Sequence, residues 1–239
     1  MSDDPARSPA APRRVLVLGA NGPSGRRTVQ QALDRGLAVV ALTRHPEAFP
    51  IRHERLEVIG GDATDPSTMD SAVSRSDAVI SVIGVAYTWS PVDVYSGAAR
   101  LALESMRRHG LRRIVVVTSM GVPRKVEEGG PVRRVLLQAF RSTFTKTLYD
   151  DMLRMEDMVS TSGLDWTIVR PPGLSDDPAR GYEIAGSRLD SPAMSRDDLA
   201  ASLLDLLDDD EWVGRIANVA TPGLRLELIP TIRKEVLKR

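Results

Sequence analysis

The sequence contains no cysteine. Disulfides, thiolate nucleophiles and cysteine-ligated zinc are therefore excluded. Histidine is almost as scarce, with only His45, His53 and His109. None sits in a spacing such as H-E-x-x-H, so no metal is expected. No charge of one sign prevails: 32 basic residues balance 32 acidic ones. A neutral chain has no global field to draw it to nucleic acid or acidic lipid. Arginine far outnumbers lysine, which reads as genome composition. The densest basic group is Arg124, Lys125, Arg133, Arg134, Arg141 and Lys146, and it reads as a solvated helix face. Long apolar runs are missing too. None approaches the ~18 residues that span a bilayer, so no membrane segment is expected. Residues 1–13 hold prolines, acids and small residues without a hydrophobic stretch, as in a flexible tail rather than a signal peptide. The default compartment is the cytoplasm.

What is present is ordinary for a water-soluble α/β chain: 239 residues, 42% apolar and 27% charged. A chain of this length buries roughly 70% of its unfolded surface and needs no staples. Short apolar runs recur at Val15 to Leu18, Val39 to Leu42, Leu56 to Ile59, Ala78 to Ile83, Ile114 to Val117 and Trp166 to Val169. Most are continuous rather than alternating, as in strands covered on both faces. Helical patterns lie between them, which predicts βαβ units and a parallel sheet. Asp65-Pro66 is a helix N-cap followed by proline. Ser195 with Asp198 predicts a capping box before Leu199, Leu203, Leu204 and Leu207. Gly36 and Gly110 read as helix stops. The expected layout is one domain over 14–239, with small substrate or lid elements at 85–95, 121–147 and 171–194. In 121–147, Val132, Val135, Leu136, Ala139 and Phe140 repeat at helical spacing, either as a packed helix or as a lid or dimer contact. The hexapeptide Ser-Asp-Asp-Pro-Ala-Arg occurs at Ser2 and again at Ser175, too short to be a structural repeat.

The chemistry begins at Gly19-Ala20-Asn21-Gly22-Pro23-Ser24-Gly25, directly after the first strand. Gly19 permits the turn off the strand. Gly22 lets the backbone approach an anion, and Gly25 lets the helix pack close to the sheet. A helix N-terminus there offers N–H groups and a positive dipole to a pyrophosphate. Pro23 suits the first helical position. No Gly-Lys-Ser/Thr follows, so this is not a Walker A loop. Where an NAD site carries a carboxylate after the second strand, this chain reads Leu42-Thr43-Arg44-His45. Arg44, assisted by Arg26, suits a 2′-phosphate, so NADP(H) is expected over NAD(H). Asp62 is placed to accept from the adenine amino group with the Ala63 N–H nearby, a helix-capping role being the alternative. Gly84 leaves room for the ribose and pyrophosphate.

With these residues the chain resembles an atypical short-chain dehydrogenase/reductase. It is most similar to the NmrA-like and flavin/biliverdin reductase B-like branch. The resemblance runs from about Val15 to Leu207. It rests on the glycine loop, Thr43-Arg44, Gly61-Asp62-Ala63, Ser76-Asp77-Ala78-Val79-Ile80, Thr118-Ser119 and the run from Ser162 to Pro171. It implies a Rossmann-type doubly wound parallel sheet in a three-layer α/β/α domain. It also implies a nicotinamide near the ends of strands five and six, with Thr118 and Ser119 on one side and Pro171 and Pro172 on the other.

The familiar acid/base groups of that family do not match. A Tyr-x-x-x-Lys pair would need lysine after a helical tyrosine, but Tyr149 is followed four residues on by Leu153. The lysine position of the branch falls on Met152, and a histidine that often follows the two prolines is Gly173. Ser119 is left as the catalytic candidate, with Tyr149 either a second acid or a packing residue. Flavin or quinone reduction tolerates this loss best, because the cofactor carries the chemistry and solvent can supply the proton. The loop Tyr87-Thr88-Trp89-Ser90 suits stacking on a flat substrate or simple packing. Three readings stay open: an NADPH-dependent reductase of a small planar or carbonyl acceptor, a non-catalytic NADP(H)-sensing regulator acting through a protein partner, and an epimerase or dehydratase. Either a monomer or a homodimer is compatible, the dimer pairing through the helix after Ser90 or the Val132 to Phe144 segment.

Overall fold

The computed structural model describes residues 14–85, 90–122 and 146–225. The expected tail at 1–13, the aromatic loop residues Tyr87 and Trp89, the bulk of 121–147 and the basic group apart from Lys146 lie outside the described residues.

Six strands follow the expected order: β1 (Arg14–Leu18), β2 (Ala38–Thr43), β3 (Leu56–Gly60), β4 (Ala78–Ser81), β5 (Arg113–Val117) and β6 (Asp165–Arg170). Helices α1 (Pro23–Asp34), α2 (Pro66–Val73), α3 (Val94–His109), α4 (Lys146–Ser160) and α5 (Arg196–Asp208) complete the frame. The short strands β7 (Gly173–Ser175), β8 (Glu183–Ala185) and β9 (Ala193–Ser195) precede α5, and β10 (Arg215–Ala220) follows it. The main sheet runs β3-β2-β1-β4-β5-β6-β10-β8, and all its pairings are parallel except β10 with β8. β7 and β9 form a separate parallel pair. This is the doubly wound Rossmann-type α/β fold, and its winding reverses between β1 and β4.

The continuous apolar strands have a plain cause. Leu16, Leu18, Val79, Ile114 and Ile168 face the side of the sheet that α2, α3 and α4 cover. Val15, Val17, Ile80, Val115 and Val169 face α1 and α5. Alternate residues thus enter different cores, and neither face tolerates polarity.

Asp65 caps α2 as expected, accepting from the Thr68 N–H at 2.7 Å with Pro66 behind it. Gly36 follows α1 and Gly110 caps α3. The capping box at α5 is only half formed. Ser195 Oγ accepts from the Asp197 N–H at 3.2 Å. The Asp198 carboxylate turns away from Ser195, accepting from the Arg180 and Gly181 N–H groups at 3.1 Å each and from the Thr221 hydroxyl at 2.7 Å. Asp198 is buried, so its charge needs those donors more than it needs the helix end. α3 shows the converse. Its N-cap Asp93 makes no side-chain cap, and the buried Asp151 of α4 supplies one, accepting from the Tyr95 N–H at 2.9 Å and from the Ser96 hydroxyl.

Candidate functional site

The C-terminal ends of β1, β2, β4, β5 and β6 share one edge of the sheet, where doubly wound folds bind ligands. At β1 the chain turns through Gly19, whose φ of +77° suits glycine. The Gly22 N–H closes the turn on the Gly19 carbonyl at 3.0 Å. Gly22 then serves as N-cap of α1 with no side chain to cap it, and the first turn holds no acid. The Arg26 N–H reaches the Gly22 carbonyl at 2.9 Å. The Ser24 and Gly25 N–H groups precede it, where a helix has no acceptor of its own. Two amide donors at the positive end of a helix dipole are thus left for an anion. Arg26 folds back on Asn21, its Nε donating to the backbone carbonyl and to Oδ1 at 3.0 Å each.

Gly25 is needed for a closer contact than expected. A Cβ there would lie 2.1 Å from the Gly19 carbonyl oxygen and 2.8 Å from Ala20 backbone atoms. The first turn of α1 packs on its own loop, not only on the sheet. At Gly22 an added Cβ would come no nearer than 3.3 Å to the Gly19 oxygen, and at Gly84 it would meet nothing within 4 Å among the described residues. Protein packing therefore demands little at Gly22 and nothing at Gly84.

On the β2 side, the Thr43 carbonyl accepts from the Gly61 N–H at 2.9 Å and its hydroxyl from the His45 N–H at 3.2 Å. These bonds fix the corner that carries Arg44. Arg44 is exposed and makes no hydrogen bond or ion pair among the described residues. Asp62 Oδ1 accepts from the Thr64 N–H at 2.8 Å and the Thr64 hydroxyl at 2.7 Å. Those donors hold the Asp62 carboxyl below its ordinary value, and the Arg44 charge adds to the effect. One Asp62 oxygen thus serves a local turn while the group stays ionised. Ala63 packs partly buried against the core.

On the β5 side, Thr118 and Ser119 part ways. The buried Thr118 donates its hydroxyl to Glu156 Oε1 at 2.7 Å. Glu156 pairs with Arg170, whose Nε lies 2.9 Å from the same oxygen, and all three residues are buried. What Thr118 offers the site is position, through the strand end it anchors. Ser119 is half-buried, its Oγ accepting from the Gly121 N–H at 3.0 Å. The Met120 N–H donates to the Pro171 carbonyl at 2.9 Å, which ties the end of β5 to the buried Pro171 and half-buried Pro172.

Tyr149 joins the same turn. A Cβ on Gly121 would lie 2.4 Å from its hydroxyl oxygen, so the phenol rests directly on the backbone beside Ser119. Its ring also packs partly into the core, so packing and proximity to Ser119 coincide. Met152 is buried and Leu153 packs against the core, so neither position puts a cation behind the phenol. Among the described residues, no three His, Asp or Glu side chains gather as a metal site.

Two features of this edge escaped sequence reasoning. One is the buried Glu156–Arg170 pair, whose only sequence trace is Arg170 before Pro171. The other is Arg188, whose Nη1 donates to the Met120 carbonyl at 3.3 Å. A lone arginine in a loop 68 residues away carries no sequence signal.

Comparison with known proteins agrees with this fold. Residues 19–210 match the model of a family described as NAD(P)H-binding. An uncharacterized chloroplastic protein of Arabidopsis thaliana is 30% identical over 233 residues, covering 92% of this chain and 80% of its own. ChuY, an anaerobillin reductase from Escherichia coli O157:H7, superposes with a TM-score of 0.70 at 24% identity, over 89% of this chain and 99% of that one. A short-chain dehydrogenase/reductase (wide type) from Veillonella parvula DSM 2008, solved in complex with NADP, gives 0.73 at 19% identity, over 89% and 96%. No helix among the described residues is long and apolar enough to cross a membrane.

Proposed function

The chain belongs to the NAD(P)H-binding family, and on that footing we propose that it is an NADPH-dependent reductase of a small planar or carbonyl acceptor, of flavin or quinone type. One observation carries the reading. The uncapped start of α1 and the Ser119–Tyr149 turn open on the same edge of the sheet, on either side of β4.

The residues fit a dinucleotide. The Ser24 and Gly25 N–H groups suit a pyrophosphate, and the acid-free first turn does not repel it. Arg44 suits a 2′-phosphate, which favours NADP(H) over NAD(H). NADPH, when bound, supplies a hydride. The chain's own part is mainly positioning. Ser119 donates a hydrogen bond that orients the acceptor oxygen. Pro171 and Pro172 close the opposite side. The acceptor gains the hydride and one proton, and the proton comes from solvent or from the Tyr149 hydroxyl.

The apolar Met152 and Leu153 favour a second reading, an NADP(H)-sensing regulator without turnover. Absorbance of reduced nicotinamide separates the two. With NADPH and a panel of flavins, quinones and aldehydes, the reductase oxidises NADPH above background, and Ser119→Ala lowers kcat about tenfold. Tight NADPH binding with no turnover on any acceptor overturns the reductase in favour of the regulator.

A further inference from the structure

Arg188 sits in the loop between β8 and β9, and both ends of that loop are pinned. The buried Asn218 of β10 donates Nδ2 to the Ala185 and Gly186 carbonyls at 3.3 and 3.2 Å. The Ser191 hydroxyl donates to the Thr221 carbonyl at 3.0 Å. Between these anchors Arg188 reaches across to the Met120 carbonyl, in the turn that carries Ser119 and faces Tyr149.

A guanidinium has five N–H donors, and this bond uses one. Arg188 makes no ion pair among the described residues, although Asp190 lies two positions on in the same loop. It is exposed, so its charge faces the edge of the site rather than the core. A cation tethered by a neutral carbonyl is oriented without being neutralised. The remaining fork suits two oxygens of a carboxylate or phosphate.

The location decides which anion. Arg44 leaves β2 and the glycine loop leaves β1, whereas Arg188 approaches from the β10–β8 end. Its guanidinium is held at the turn after β5, beside Ser119, and β4 lies between that turn and the glycine loop after β1. Building on the reductase reading, we infer that Arg188 is the specificity residue of the acceptor pocket, and that the acceptor carries a carboxylate or phosphate substituent bound by its guanidinium.

Two matched pairs test this. FMN and riboflavin share one ring system and differ by a phosphate; 4-carboxybenzaldehyde and benzaldehyde differ by a carboxylate. Binding of each is measured by calorimetry with and without saturating NADP+, and turnover is followed in parallel. The wild type is expected to prefer the anionic member of at least one pair by about tenfold. In Arg188→Ala that ratio falls to about one, and Arg188→Lys keeps part of it. The pair that shows the preference identifies the anion. No preference in either pair, or an unchanged ratio in Arg188→Ala, overturns the inference. So does an equal loss of NADPH affinity, since the anion recognised would then belong to the cofactor. Binding is read apart from turnover, so an inert protein that keeps an Arg188-dependent preference refutes the reductase and not the anion site.

Discussion

Replacing Gly25 by alanine tests the cofactor loop directly. The new Cβ would lie 2.1 Å from the Gly19 oxygen and 2.8 Å from the Ala20 Cα and carbonyl carbon. All of these are backbone atoms with no rotamer to yield. An unstrained contact needs roughly 3.5 Å, so the start of α1 must withdraw by about 1.4 Å. Overpacking of this kind costs about 1–3 kcal/mol. In a domain of this size that is a Tm lower by about 5 °C. The same movement carries the Ser24 and Gly25 N–H groups off their target. Hydrogen bonds to a charged acceptor are worth about 1.5–3 kcal/mol each, so weakening two raises the NADPH Kd about a hundredfold. Gly84→Ala is the control, because its Cβ meets nothing within 4 Å among the described residues. Its Tm should equal the wild type's, while NADPH affinity falls about tenfold if a ribose or pyrophosphate occupies that space. Calorimetric titration with NADPH and thermal melts give both readouts. A Gly25→Ala variant that melts early yet binds NADPH with wild-type Kd would refute the reasoning, because the pyrophosphate would then not sit on this helix start.

Arg44→Ala should raise the NADPH Kd about tenfold and leave the NADH Kd within twofold; fluorescence titration with both cofactors checks this, and equal losses would remove the 2′-phosphate assignment. Glu156→Gln leaves the buried Arg170 without its counter-charge, which should cost about 3 kcal/mol, or about 10 °C in Tm, in a thermal melt. The Ser67 hydroxyl and the Thr68 N–H pull the Asp65 carboxyl down to about 2. Because the folded value lies below the unfolded one, that contribution is complete above about pH 4 and fades as pH falls toward 2. Urea titrations should therefore show Asp65→Ala less stable than wild type at pH 5, with the gap narrowing below pH 4; a constant gap would contradict the assignment.

The first six strands were legible because two cores press on them. Any run such as Val15 to Leu18 must be apolar on both faces, and that leaves a plain mark. β4 is shorter than its apolar run, ending at Ser81, since Val82 and Ile83 pass close under Gly19. β10 leaves no such mark because Asn218 interrupts its pattern, and it does so to hold the β8 loop. β7, β8 and β9 are three residues each, too short to display a period. The glycine loop could be read because turn, cap and helix start are contiguous. Asp151 capping α3, Glu156 behind Thr118 and Arg188 at Met120 could not, because each partner arrives from a distant element.

The place of β10 also bears on how the chain comes off the ribosome. β10 is the partner of β6 on one side and of β8 on the other, and it is the last strand of the described chain. Until residue 220 has emerged, the outer edge of β6 has no neighbour, and the Arg188 loop has no Asn218 to hold it. The dinucleotide half can assemble from β1 to β5 well before then. An open strand edge during synthesis invites pairing with another chain. Translational stalling just short of β10 should thus yield a nascent protein that already binds nucleotide yet aggregates through β6.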